Sequence, residues 1–175
     1  AGAVVPYVGD VADGRLPGLL ADFLEDKYGR LDVLIHNAGV FAPDSLDSLS
    51  AESFDRQLAI NLRGPLFMTQ ALVPLLQKGN KAAVVMVSSN LGVKPIPNTL
   101  SYSVSKAALN HAALSLATEL GPLGIRVNVV SPGVIDTPIH DRFGSEDERK
   151  EYFETLAASQ PIQRVGQPED VAHVV

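Results

Sequence analysis

The chain of 175 residues has no cysteine. Disulfides, thiolate metal sites and thiol catalysis are therefore excluded. No apolar run approaches the roughly 20 residues of a membrane-spanning helix, and Lys81, Lys94 and Arg126 interrupt the most apolar regions. Nor does the sequence open on a charged-then-apolar stretch of signal-peptide type. Basic residues are the minority, 14 against 20 acidic, for a formal net charge of −6. With no Lys/Arg cluster to offset that balance, a nucleic-acid partner is not expected. The histidines, His36, His111, His140 and His173, stand far apart with no pair at metal-ligand spacing, so no metal site is expected. Absence of cysteine is compatible with a cytoplasmic location, which is the expectation.

What is present reads as one globular domain over 1–175, with 46% hydrophobic and 19% charged residues, long enough to bury a sizeable core. Four short stretches rich in β-branched residues, 3–8, 31–36, 82–88 and 125–131, read as strands. The middle two are nearly continuous apolar runs, as for strands buried on both faces of a parallel sheet. Between them, 14–29, 50–77 and 101–122 carry helical patterns. Gly29 is a good left-handed cap for the first, and Ser50 with Glu52 opens the second. Pro65 after Gly64 predicts a kink inside the second. The third carries an apolar stripe at 104, 108, 109, 112, 116 and 120. The alternation implies an α/β fold, a doubly wound parallel sheet with right-handed crossovers and helices on both faces. Residues 138–167 are charged and weakly patterned. They read as a helical insertion after a strand end, either a substrate-covering lid or a solvated surface helix.

Three polar, glycine-bearing segments follow the strand ends: His36-Asn37-Ala38-Gly39, Ser88-Ser89-Asn90-Leu91-Gly92 and Ser131-Pro132-Gly133-Val134-Ile135-Asp136-Thr137. Each alone reads as a turn. In a parallel sheet they share one edge, and the helix carrying Tyr102 and Lys106, four apart and so on one face, begins at that edge.

Asn37-Ala38-Gly39, Asn61, Ser89 thirteen residues before Tyr102, Tyr102-x-x-x-Lys106 and Pro132-Gly133 with Thr137 together resemble the short-chain dehydrogenase/reductase family of Rossmann-fold, NAD(P)(H)-dependent oxidoreductases. The resemblance runs across essentially the whole chain. It implies hydride transfer between NAD or NADP and a carbonyl or secondary alcohol. Tyr102 is then the general acid/base. Lys106 is its electrostatic partner and holds the nicotinamide ribose, Ser89 binds and polarises the substrate carbonyl, and Asn61 keeps a water on a proton path to the lysine. A free tyrosine, with a pKa of about 10, is too weak a base at neutral pH, and a nearby cation favours its phenolate. By the same resemblance Asp10 and Val11 lie near the adenine. Asn37, Ala38 and Gly39 lie along the adenosine ribose, and Pro132, Gly133, Ile135 and Thr137 at the nicotinamide carboxamide. His36 departs from the family, many members having asparagine there. The implied oligomer is a homodimer or homotetramer packed through the two long helices, and the implied pocket, lined by loops around 90–100 and 138–165, suits a moderately hydrophobic carbonyl compound.

The sequence departs from the family at its ends. No G-x-G-x-x-G spacing occurs, so the usual pyrophosphate site is missing. The expectation is a Rossmann-like sheet incomplete at both ends, a piece of a longer enzyme. NAD and NADP are not distinguished, because the residue that reads the adenosine 2′ position lies on a strand outside the chain. A non-catalytic binding or scaffold protein, or an inactive fragment, on the same fold is the alternative.

Overall fold

A computed structural model describes residues 3–140 and 145–175. In chain order these form α1 (Leu16–Tyr28), β1 (Val33–His36), α2 (Ala51–Leu58), α3 (Gly64–Gln77), β2 (Ala83–Val87), α4 (Leu100–Leu120), β3 (Arg126–Val130), α5 (Glu146–Ser159) and α6 (Pro168–Ala172). A π-helical segment, Ala59–Arg63, joins α2 to α3. The strands form one parallel sheet in the order β1-β2-β3, in a register that sets Leu34 beside Val84 and Val84 beside Val127.

That order places the helices. Successive right-handed crossovers that step in one direction across a sheet deposit their helices on one face. Here α3 and α4 cover the face of Leu34, Val84, Met86, Val127 and Val129. α1 packs beside α3 through Leu16, Leu20 and Leu24 against Met68, Leu72 and Leu75. Leu72 and Leu76 are fully buried, each stabilising the fold by about 1.5–3 kcal/mol. The opposite face is less covered, with Val33 and Ile35 about half exposed. β2 is thus buried on both faces, as expected, and β1 is not. Residues 3–8 also differ from expectation. They carry no strand ladder, and Val4 and Val8 stand almost fully in solvent. β-branched composition favours an extended backbone, but a strand exists only through a neighbour's hydrogen bonds, and no described strand runs beside this stretch.

The helix boundaries follow their local chemistry. Gly29 at φ 68° closes α1, and the Ser50 hydroxyl accepts from the Ser53 N–H at 3.1 Å to open α2. Where a kink at Gly64-Pro65 is expected, the structure has the π segment just before it: the Gly64 N–H reaches back to the Ala59 carbonyl, five residues earlier. Pro65 brings no N–H to continue the α-helical ladder onto the Asn61 carbonyl. Gly64 is required for a second reason. A Cβ there would come within 2.6 Å of the Val11 carbonyl oxygen, so the segment before α1 lies directly on the helix.

β1 is pinned to α3 by His36. The Thr69 hydroxyl gives its one proton to the Pro65 carbonyl at 2.8 Å and so accepts from His36 Nε2–H, also at 2.8 Å. Burial holds the imidazole neutral, its pKa brought down to about 4. The unfolded chain takes up this proton near pH 6.5, whereas the folded chain refuses it until about pH 4. Stability therefore falls as pH drops through that window and levels off below it. In urea titrations of His36→Asn from pH 7 to 4, this part of the acid destabilisation is expected to vanish. An unchanged slope would show that His36 titrates alike in both states.

Candidate active site

Tyr102 and Lys106 lie on the first two turns of α4, both buried, at 9% and 4% exposure. The Lys106 ammonium donates to the Val87 carbonyl at the end of β2, 2.9 Å away, and lies 5.7 Å from the centre of the Tyr102 ring. Among the described residues no carboxylate pairs with it. Burial without a counter-ion brings its pKa down to about 8. Tyr102 shifts the other way: burial raises its phenol above the ordinary value, and a hydrogen bond with Ser89 works against that rise. This is opposite to the expectation that Lys106 lowers it. Desolvation disfavours the phenolate more than an ammonium turned toward Val87 favours it.

Ser89 follows β2, is 7% exposed, and accepts from the Leu91 N–H at 3.1 Å. Next to it the Ser88 hydroxyl donates to the Lys106 carbonyl at 3.2 Å, which fixes this loop to α4. Gly92 completes the fit, since a Cβ there would come within 2.8 Å of the Lys106 backbone carbon. Ser89, Tyr102 and Lys106 are thus brought together by the end of one strand and the start of one helix.

Asn61, in the π segment, is 1% exposed. Its side chain pairs with both backbone groups of Val40, accepting from N–H and donating to C=O, each at 2.9 Å. Its second N–H goes to the Ser105 hydroxyl at 3.0 Å. The side-chain amide is therefore committed to the protein, while the Asn61 backbone carbonyl has no α-helical donor because Pro65 carries no N–H. Asn37, Ala38 and Gly39 run exposed along the same edge. A Cβ on Gly39 would stand 3.4 Å from Asn61 Oδ1 and 3.6 Å from Lys106 Nζ.

The other expected contacts flank this centre. Val11 and Ala38 border one cavity of about 30 Å³, with His36, Ile60 and Pro65 in its wall, and the Asp10 carboxylate turns back to the Ala12 N–H at 2.9 Å. The loop after β3 is tied to the Ser89 loop by Asn90 N–H to the Pro132 carbonyl, 2.9 Å. Beyond it, Gly133 abuts the Gln160 side chain, Ile135 pairs with Gly166, and the Thr137 carbonyl accepts from the His140 N–H at 3.1 Å. α5 sits against this loop through an Arg149–Asp136 ion pair. Residues 141–144 of the expected lid lie outside the described residues. Three residues at the site escaped sequence reasoning: Phe41, Asp44 and Gln57. The last two are buried and polar. Their only sequence signal is Gln57 standing four residues before Asn61, on the same inward helix face.

The donor set fits a dinucleotide's nicotinamide end. A buried ammonium, two hydroxyls and a small-residue backbone stretch open to solvent suit ribose hydroxyls and close backbone approach.

The sequence pattern of a family described as enoyl-(acyl carrier protein) reductase matches residues 1–175. The chain is 35% identical to a 3-oxoacyl-[acyl-carrier-protein] reductase of Thermotoga maritima over 174 residues, 99% of this chain and 69% of that protein. It is 39% identical to the human dehydrogenase/reductase SDR family member 4 over 151 residues, 85% of this chain and 52% of that protein. Its fold superposes on ligand-free aldohexose dehydrogenase of Thermoplasma acidophilum with a TM-score of 0.90 at 25% identity, covering 96% of this chain and 68% of that one. The chain thus spans between about half and 69% of these relatives' lengths. Matched along its whole length to such oxidoreductases and folded like one, the chain belongs to the short-chain dehydrogenase/reductase family.

Proposed function

We propose that the chain carries the proton-transfer centre of an oxidoreductase that interconverts a carbonyl compound and its secondary alcohol with NAD or NADP. The observation that carries this reading is the buried Lys106 ammonium beside Tyr102 and Ser89. A residue kept for packing alone would be apolar there, because a buried unpaired cation destabilises the fold. When bound, the nicotinamide supplies the hydride to the carbonyl carbon or accepts it from the alcohol. Ser89 donates a hydrogen bond to the substrate oxygen, and Tyr102 delivers its phenolic proton to that oxygen as negative charge develops. In the oxidative direction Tyr102 takes the proton from the alcohol. A phenol held protonated by burial suits the reductive direction at neutral pH. Lys106 holds the ribose hydroxyls and stabilises the phenolate left behind, while the Asn61 carbonyl, which Pro65 cannot engage, anchors a water that returns the proton by way of Lys106. Asp10, Val11 and Asn37–Gly39 hold the adenosine side, and Pro132, Gly133, Ile135 and Thr137 the carboxamide.

The substrate class is a moderately hydrophobic carbonyl compound, a reading supported by the apolar content of 91–97. Exposed Phe67, Val104 and Leu114 on α3 and α4 support a homodimer or homotetramer. No helix among the described residues is long and apolar enough to cross a membrane, and a cytoplasmic location is proposed.

Tyr102→Phe in the full-length protein is expected to lower ketone reduction by about 10²- to 10⁴-fold while nicotinamide binding persists. Turnover within a few-fold of the parent contradicts the assignment. A protein that binds the dinucleotide yet turns over no carbonyl or alcohol fits the non-catalytic alternative.

Lys106 gives a second test, in stability. Its cation is disfavoured in the fold, so the unfolded chain holds the proton up to pH 10.5 and the folded chain only to about 8. Stability relative to Lys106→Met should therefore rise by about 3 kcal/mol between those pH values and stay flat below them. Denaturant titrations that show no such rise would mean that the ammonium is already well solvated.

A further inference from the structure

Gln57 lies one helical turn before Asn61 and is 1% exposed. Its Oε1 accepts from the Ala42 N–H and its Nε2 donates to the Ala42 carbonyl, both at 3.2 Å. Asn61 does the same to Val40. Two side-chain amides, spaced by one turn, thus replace a neighbouring strand for alternate residues of the loop after β1. Phe41, between the two rungs, sets its ring edge-on against Tyr102, centroids 5.1 Å apart at 76°. Further on, the loop is fastened to the start of α4: the Asp44 carboxylate accepts from the Ser101 N–H at 2.9 Å and from the Ser101 hydroxyl. The Asp44 carbonyl accepts from the Leu100 N–H at 3.3 Å.

We propose that Gln57 is a positioning residue for Tyr102, acting through residues 40–42 to hold the Phe41 ring against the phenol. The proposal rests on the reading of Tyr102 as the proton-transfer group. Its chemistry is specific. A neutral side chain with a donor and an acceptor at this reach satisfies both backbone groups of Ala42, whereas an apolar one leaves both bare. Ladder, ring and phenol form a continuous chain of contacts, so loosening Ala42 lets Phe41 swing and admits water to Tyr102. Among the described residues, Ser89 from the β2 end and Lys106 on its own helix also face Tyr102, and no variant below alters either.

The test is a phenolate absorbance titration of Tyr102 in the full-length protein, isolated as the difference between each variant and its Tyr102→Phe counterpart. Gln57→Leu and Phe41→Leu are each expected to lower the Tyr102 titration point by about one pH unit or more. In a ketone-reduction assay, Gln57→Leu should lose about tenfold or more in kcat with KM nearly unchanged. Gln57→Glu adds a signature that a purely structural role would not give. The neutral acid keeps both rungs and the carboxylate loses the donating one, so kcat should recover as pH falls through that carboxyl's titration. A folded Gln57→Leu whose Tyr102 titrates as in the parent overturns the proposal. Should Gln57→Leu fail to fold, Gln57→Glu with a Tyr102 titration and kcat profile matching the parent overturns it instead. Absence of any carbonyl turnover in the parent would refute the functional reading alone, because the titration needs no turnover.

Discussion

The structure depends on one arrangement, the five-residue π segment between α2 and α3. It adds a residue to the helical turn just before Pro65, whose missing N–H leaves the Asn61 carbonyl without its α-helical donor, and the Asn61 side chain meets Val40. Three pieces of chain are gathered on this short stretch. Gly64 receives the Val11 carbonyl, Arg63 reaches the Ala12 carbonyl at 2.9 Å, and Asn61 joins the loop after β1 to Ser105 of α4. A straight α-helix would turn these side chains away by the drift of one residue, about 100°.

The second constraint is the polarity of a buried helix face. The buried residues of the first half of α4 are Ser101, Tyr102, Ser103, Ser105 and Lys106. Only from Leu109 and Ala113 onward does the face become an ordinary apolar core. Such a face is stable only because almost every polar group has a partner: Ser101 on Asp44, Ser105 on the Tyr102 carbonyl, Lys106 on Val87. The Lys106 ammonium has an acceptor but no counter-ion, which is the destabilisation that the proposed chemistry requires.

This polarity also explains what was legible in the sequence. The three strands that pair, the three helical stretches and an irregularity beside Gly64-Pro65 were readable, because they rest on local pattern and on proline's missing N–H. The apolar stripe read on α4 began at Val104, which is about half exposed. Periodicity of apolar residues finds cores, and here the buried N-terminal face is polar. Residues 3–8 had a strand's composition but no neighbour to pair with. Sheet topology and spacing brought the strand-end loops and the helix of Tyr102 and Lys106 to one edge, and the family resemblance singled out Ser89 and Asn61. Gln57 and Asp44 were not legible, because their partners are backbone atoms of a loop, and backbone groups leave no trace in the residue pattern.

The central claim, that side chains of the π segment lock the loop after β1 into the site, is tested most directly by amide hydrogen exchange at Val40 in the full-length protein. Held by Asn61, this loop N–H should exchange as slowly as amides of β2 and α4, and Asn61→Leu should release it while β2 stays protected. A Val40 amide that exchanges at the rate of an open loop in the parent protein would contradict the account.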